Sequence, residues 1–251
     1  ALTGMRALQQ GRLVAGHRTT PIALATGARA TVLAVVAFAL TTTPAGAWLG
    51  AVAFTLGLAV EALLVTFASA PTPAVPEGAE RELIGEDRVL SFSPPLMVNV
   101  VLWWSTPLII NSVLARTPEP DCSLAAFTVV EAVAWFLTAP VGQLQHAALA
   151  LVDCRAAHQR VRVYAGGLAV SVTVFLAVLS IPTIREAILW TGFRLDPSLL
   201  QPAGLAFPVA ALYPALYGHR QYYQGLFVRA GFTGLVGRGA VVRIVVILAA
   251  A

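Results

Sequence analysis

The sequence predicts an all-α membrane protein, a polytopic helical bundle of about seven spans. Two observations carry that fold class. The first is composition: 58% of residues are apolar and only 11% charged, with a mean hydropathy of +0.79. That is more apolar surface than a soluble domain needs to fill its core, so the bilayer is the fitting solvent. The second is spacing. A hydrocarbon slab of about 30 Å takes about 20 apolar helical residues at ~1.5 Å rise each, and the chain offers seven such windows.

In order, the windows run over residues 22 to 41, 45 to 68, 92 to 114, 122 to 152, 163 to 181, 199 to 217 and 235 to 251. Ahead of the first lies a basic, polar run, "MRALQQGRLVAGHR", read here as a loop. Between the second and third lies "SAPTPAVPEGAERELIGEDRVLS", proline-rich and then acidic, which reads as a connector. The domain division that follows is 1–70, the last helices of an N-terminal lobe; 71–91, an inter-lobe linker; and 92–251, a C-terminal lobe. "IPTIREAILWTGFRLDPS", between the fifth and sixth windows, mixes Arg, Trp and Phe in a way that suits a short helix lying at the membrane surface. The chain starts at Ala1 and stops within the apolar "VVILAAA", so it reads as a piece of a longer protein.

All 16 basic residues are arginine. They are spread between the windows rather than clustered on a soluble surface, which argues against a nucleic-acid partner. With the N-terminus inside, the internal loops hold eleven of them, and only Arg116, Arg185 and Arg194 fall outside. Positive-inside bias therefore puts the N-terminal end and the linker in the cytoplasm, in an inner or plasma membrane. Cys122 and Cys154 then sit about a bilayer apart and cannot bridge. Neither belongs to a metal- or redox-type spacing, so no metal and no cofactor is expected. No Ser-His-Asp set, P-loop, HExxH or dinucleotide turn is present, so an enzyme is not expected.

The chain also repeats itself. At the offset separating Gly4 from Gly218, Arg6 matches Arg220, Gln10 matches Gln224, Gly11 matches Gly225, Val14 matches Val228, Thr19 matches Thr233 and Arg29 matches Arg243. Apolar matches are cheap in membrane proteins; matched arginines and a matched Gln-Gly pair are not. A period of six helices returns the chain to the same side of the membrane, so the halves are expected to be parallel repeats about an axis along the membrane normal.

The third window with its flanks, "SFSPPLMVNVVLWWSTPLIINSVLARTPEP", the fourth with "LTAPVGQLQHAALALV", and the repeated Gln-Gly to Arg segment resemble the progressive ankylosis family of membrane exporters. That family lies within the superfamily of multidrug and toxin extruders and lipid-linked oligosaccharide flippases. The resemblance implies a two-lobe, twelve-helix fold, of which this chain spans the end of the fourth helix to the eleventh. It further implies secondary export of small anions of the nucleotide, citrate or pyrophosphate type by alternating access. The rivals are a flippase for a lipid-linked anionic saccharide and a non-transporting membrane structural or interaction protein.

Asn99, Trp103, Pro107 and Asn111 recur every four residues, making one face of the third window polar, aromatic and kinked. That face lines a cavity or packs a kink. Glu131, Gln143 and His146 in the fourth are ionisable or amide groups where such groups are expensive, and Glu131 with His146 are candidates for a coupling proton or cation. Arg29 and Arg243 each lie about eight positions into a span. Either they snorkel to the headgroups or they present forked donors to an anionic substrate. Arg6, Gln10 and Gly11, with Arg220, Gln224 and Gly225, are expected to form a gate loop at the inner end of each lobe, the glycines permitting tight turns and the arginines holding helix ends or lipid phosphates. The partners expected overall are the lipid bilayer and a small anionic substrate.

Overall fold

A computed structural model of the chain describes residues 2–16, 18–40, 48–70, 86–192 and 196–250. Every regular element among them is helical. The order is α1 Leu2–Ala15, α2 Thr20–Leu40, α3 Trp48–Ser69, α4 Glu86–Leu114, α5 Pro120–Gly142, α6 Leu144–Leu151, α7 Arg155–Val178, α8 Pro182–Glu186, a π-helical turn Ala187–Gly192, α9 Pro197–Ala210, α10 Tyr213–Arg229 and α11 Thr233–Ala250. Six stretches are long and apolar enough to cross a membrane: Gly50–Ser69, Val89–Leu114, Pro120–Leu151, Arg155–Val178, Pro197–Arg229 and Thr233–Ala250. A shorter apolar helix covers Thr20–Val36. The expected all-α, multi-pass membrane bundle is therefore what the chain forms.

Two compact units divide the chain, Ala1–Glu82 and Leu83–Ala251. In the first, α3 packs against both α1 and α2 around Leu13, Ala25 and Val65. Gly57 lets α2 come close, since a Cβ there would stand 3.2 Å from the Arg29 and Leu33 Cγ atoms. In the second unit, α11 packs on α4, α9 on α5, and α10 on α6 and α7. One core gathers Ala126, Val130, Leu176, Leu189 and Phe207. Another gathers Val141, Leu144, Ala148, Tyr217 and Tyr222.

Proline and cap chemistry explain several boundaries. The "PVG" break is realised where Pro140 precedes the end of α5 at Gly142, and α6 resumes after a turn at Gln143. Cys154 caps α7, its sulfur accepting the Ala157 amide at 3.5 Å. Asp196 caps α9 by accepting from the Ser198 hydroxyl at 2.7 Å and its amide at 2.9 Å. Those two bonds, the hydroxyl's first, hold its carboxyl below the usual range.

Two boundaries correct the sequence reading, and a third refines it. Composition carries the linker to residue 91, but α4 already begins at Glu86, and 71–85 lie outside the described residues. The surface segment is a short helix followed by a π-helical turn, with 193–195 outside the described residues. The largest change concerns the two gate segments. Arg6, Gln10 and Gly11 lie within α1, and Arg220, Gln224 and Gly225 within α10, so neither set is a loop. Polar residues resemble loop in the sequence because hydropathy cannot see their partners. In the folded chain Arg220 donates to Asn99 at 2.8 Å, Gln221 to the Tyr217 hydroxyl at 2.9 Å, and Arg229 to the Leu149 carbonyl at 2.6 Å.

Gly225 does not make a turn; it makes a helix crossing. A Cβ there would fall 2.5 Å from the Gln145 carbonyl oxygen and 2.8 Å from the Ala148 Cβ, and one at Gly218 would fall 2.9 Å from Ala169 and Val141. Small residues at such a crossing are how membrane helices approach closely. The matched Gly11 has nothing within 4 Å. Gly225→Val is therefore expected to lower thermal stability in detergent by about 1–3 kcal/mol, the usual cost of overpacking, while Gly11→Val leaves it unchanged. Equal effects at both positions would mean that helix propensity, and not the contact with α6, decides.

Candidate functional site

Each unit gathers its repeat-related arginines on one spot, and the two spots differ in what they contain. In the first unit the spot is a carboxylate. Glu61 is 2% exposed; Oε2 accepts from Arg6 Nη1 at 2.8 Å and from Arg29 Nη1 at 3.1 Å. Oε1 is met by Gln10 Nε2 and the Thr26 hydroxyl, both at 3.3 Å. The Thr26 proton is also directed to the Ile22 carbonyl at 2.9 Å, so the Gln10 amide is the firmer partner of Oε1. The Arg29 guanidinium lies 5.3 Å from the centre of the Phe54 ring. Arg29 thus forms half of a two-arginine clasp on a buried acid.

In the second unit the spot is an aromatic cluster. Trp103 on α4, Trp135 on α5, and Tyr213 and Tyr217 on α10 are packed ring to ring, with Trp103 and Trp135 edge-on at 5.7 Å and Tyr213 stacked on Tyr217 at 5.2 Å. Arg220 and Arg243 each bring a guanidinium carbon to 4.5 Å from the centre of the Trp103 ring. Arg220 is also held by Asn99, which is 7% exposed. Arg243 is not held. Its Nε, Nη1 and Nη2 are all buried, and none has a hydrogen-bond partner among the described residues. The Tyr213 hydroxyl, within electrostatic range of both arginines and of Glu131, is buried and unpartnered too.

Magnitudes set the two arginines apart. A guanidinium at the centre of a membrane helix costs about 2.5–3.5 kcal/mol on insertion scales. A cation–π contact returns roughly 0.5–2 kcal/mol, and a hydrogen bond to a charged group about 1.5–3 kcal/mol. Arg220 has both kinds of contact, so its cost is offset. Arg243 has only the ring, and its three nitrogens have no acceptor among the described residues.

The other expected site residues scatter. Asn99 and Trp103 belong to the cluster just described. Asn111 stands further along α4 with its buried side-chain oxygen unpartnered. Glu131 is half-buried on α5, one turn before Trp135. Gln143, in the turn between α5 and α6, and His146, on α6, are both exposed. Gln224 is buried on α10 and Gln10 half-buried on α1. Sequence reasoning misses Glu61 as Arg29's partner. It also passes over Trp135 and Tyr217 as ring partners of Trp103, and Tyr213 as the ring partner of those two. A signal for Glu61 is present: Arg29 lies nine residues after the start of α2 and Glu61 eight before the end of α3. Consecutive antiparallel spans bring such positions level.

Comparison of the chain with protein-family models, characterised proteins and solved structures gives no match.

Proposed function

We propose that this multi-pass membrane protein works as a secondary transporter that exports small anionic solutes, of the nucleotide, citrate or pyrophosphate type, by alternating access, and that Arg243 with Arg220 meets the anion. The observation that carries the reading is Arg243: three buried donor nitrogens, unpartnered among the described residues, on a ring that a second arginine also faces. The forked geometry of a guanidinium suits carboxylate and phosphate oxygens.

The repeat supports the same reading from the other unit. Arg6 and Arg29, the sequence counterparts of Arg220 and Arg243, close on a carboxylate at 2.8 and 3.1 Å. Glu61 thus displays the kind of group that this pair of positions accepts. No described carboxylate forms an ion pair with Arg220 or Arg243. Glu131 and His146 are the groups proposed to exchange a coupling proton, and the arginine distribution supports a cytoplasmic N-terminal end and linker.

The test is uptake into proteoliposomes containing the full chain, with labelled citrate, pyrophosphate and a nucleotide offered beside neutral solutes of similar size. Saturable uptake of at least one anion, competed by the others and absent for neutral solutes, is expected. Uptake of none, with flipping of a lipid-linked saccharide instead, would transfer the assignment to the flippase reading. Neither activity, with no change in tryptophan fluorescence on adding the anions, would leave a structural membrane protein.

A further inference from the structure

Away from the arginine pair, the second unit carries a groove of about 440 Å³ between α5, α7, α9 and the connection from α7 to α9. Its walls include Ala132, Phe136, Leu137, Phe175, Leu189 and Phe207, and Arg185 is the one charged residue among those that line it. Phe136 is 80% and Phe175 56% exposed, so the groove opens on the surface of a unit whose spans face lipid. Arg185 lies between the end of one span at Val178 and the start of the next at Pro197. That is the depth at which headgroups sit. Exposed Trp190 in the same connection fits an interfacial belt.

The position of Arg185 is built. Its guanidinium lies against Gly204, where a Cβ would fall 2.5 Å from Cζ and 2.6 Å from Nη1. Any other residue at 204 would displace it. Nη1 makes one long bond, 3.4 Å, to the Ser180 carbonyl. Nε is buried without a partner among the described residues. No described carboxylate reaches Arg185 at ion-pair distance. An apolar channel with a cation at headgroup depth is complementary to an amphiphile with an apolar tail and an anionic head.

We propose that the groove is a binding site for one anionic phospholipid, an acyl chain lying between Phe136, Phe175 and Phe207 and the phosphate meeting Arg185. The assignment is independent of the arginine pair on Trp103 and of any transport activity. A zwitterionic lipid fills the same groove but brings its own cation to Arg185, so phosphatidylglycerol should be retained over phosphatidylcholine by roughly fivefold, the discrimination that one arginine near a membrane surface gives.

Native mass spectrometry of the full chain, released from micelles holding equal amounts of dioleoyl phosphatidylglycerol and dioleoyl phosphatidylcholine, reads this directly. The unaltered protein should keep the anionic lipid preferentially, Arg185→Gln should lose the preference, and Arg185→Lys should keep it. Ala132→Trp, on an exposed helix face, should block the groove and reduce retention of both lipids. An undiminished preference in Arg185→Gln overturns the proposal. So does displacement of the lipid by millimolar inorganic phosphate, because the site would then read a free anion rather than a lipid.

Discussion

On the proposed transport reading, Arg243→Gln is expected to reduce anion uptake by at least about tenfold while leaving the protein as stable as before, or more so. The first half follows from losing a forked cation, since charge-assisted bonds to phosphate or carboxylate contribute about 1.5–3 kcal/mol each. The second follows from what Arg243 lacks. Its three nitrogens have no partner among the described residues, so replacing the buried charge removes a cost and breaks no hydrogen bond. Arg243→Met, which keeps the bulk on Trp103 without the charge, should raise the melting temperature and abolish uptake together. Arg243→Lys should restore uptake only in part, because an ammonium keeps the charge but not the fork. Transport at the normal rate by Arg243→Gln, at matched expression, would remove the binding role. A marked loss of stability in Arg243→Met would show the arginine to be structural instead.

That pairing of readouts matters because arginines in matched repeat positions look identical in sequence. Arg29 and Arg243 have the same register in their helices, and the repeat locates both. Whether each is paired depends on a third helix. In the first unit α3 lies against α1 and α2 and supplies Glu61; in the second, α4 lies against α11 and supplies Trp103. The spans are legible because hydropathy over about 20 residues measures one property that the bilayer imposes. The helicity of α1 and of the second half of α10 is not, because their polar residues are satisfied by tertiary contacts: Arg6 by Glu61, Arg220 by Asn99, Tyr222 by His158 at 2.9 Å. Asn99 and Trp103 are legible as one face of a helix. The ring partners Trp135, Tyr213 and Tyr217 come from other helices, which periodicity within one helix cannot bring together.

Glu61→Ala is expected to behave in the opposite sense to Arg243→Met. Removing one partner of a buried ion pair leaves the others charged and uncompensated, which typically costs about 3–5 kcal/mol. Here two guanidiniums, Arg6 and Arg29, would be left facing one another across the space of a 2%-exposed side chain, so a fall in melting temperature on the order of 10 °C is expected. The group removed, a methylene and a carboxylate, has the atoms of an acetate ion. Acetate in the buffer should therefore recover much of the lost stability in Glu61→Ala, with little effect on the unaltered protein or on Glu61→Gln, whose amide occupies the space. In a double-mutant cycle, Glu61→Gln with Arg29→Gln should lose less than the sum of the two single losses, because the second change removes a charge the first left unpaired. Unchanged stability of Glu61→Ala would mean that solvent already screens the clasp. Acetate acting equally on all three proteins would make its effect a general salt effect. Selective rescue by acetate would show that two arginines in these repeat positions hold a free carboxylate, which is the chemistry proposed for Arg220 and Arg243.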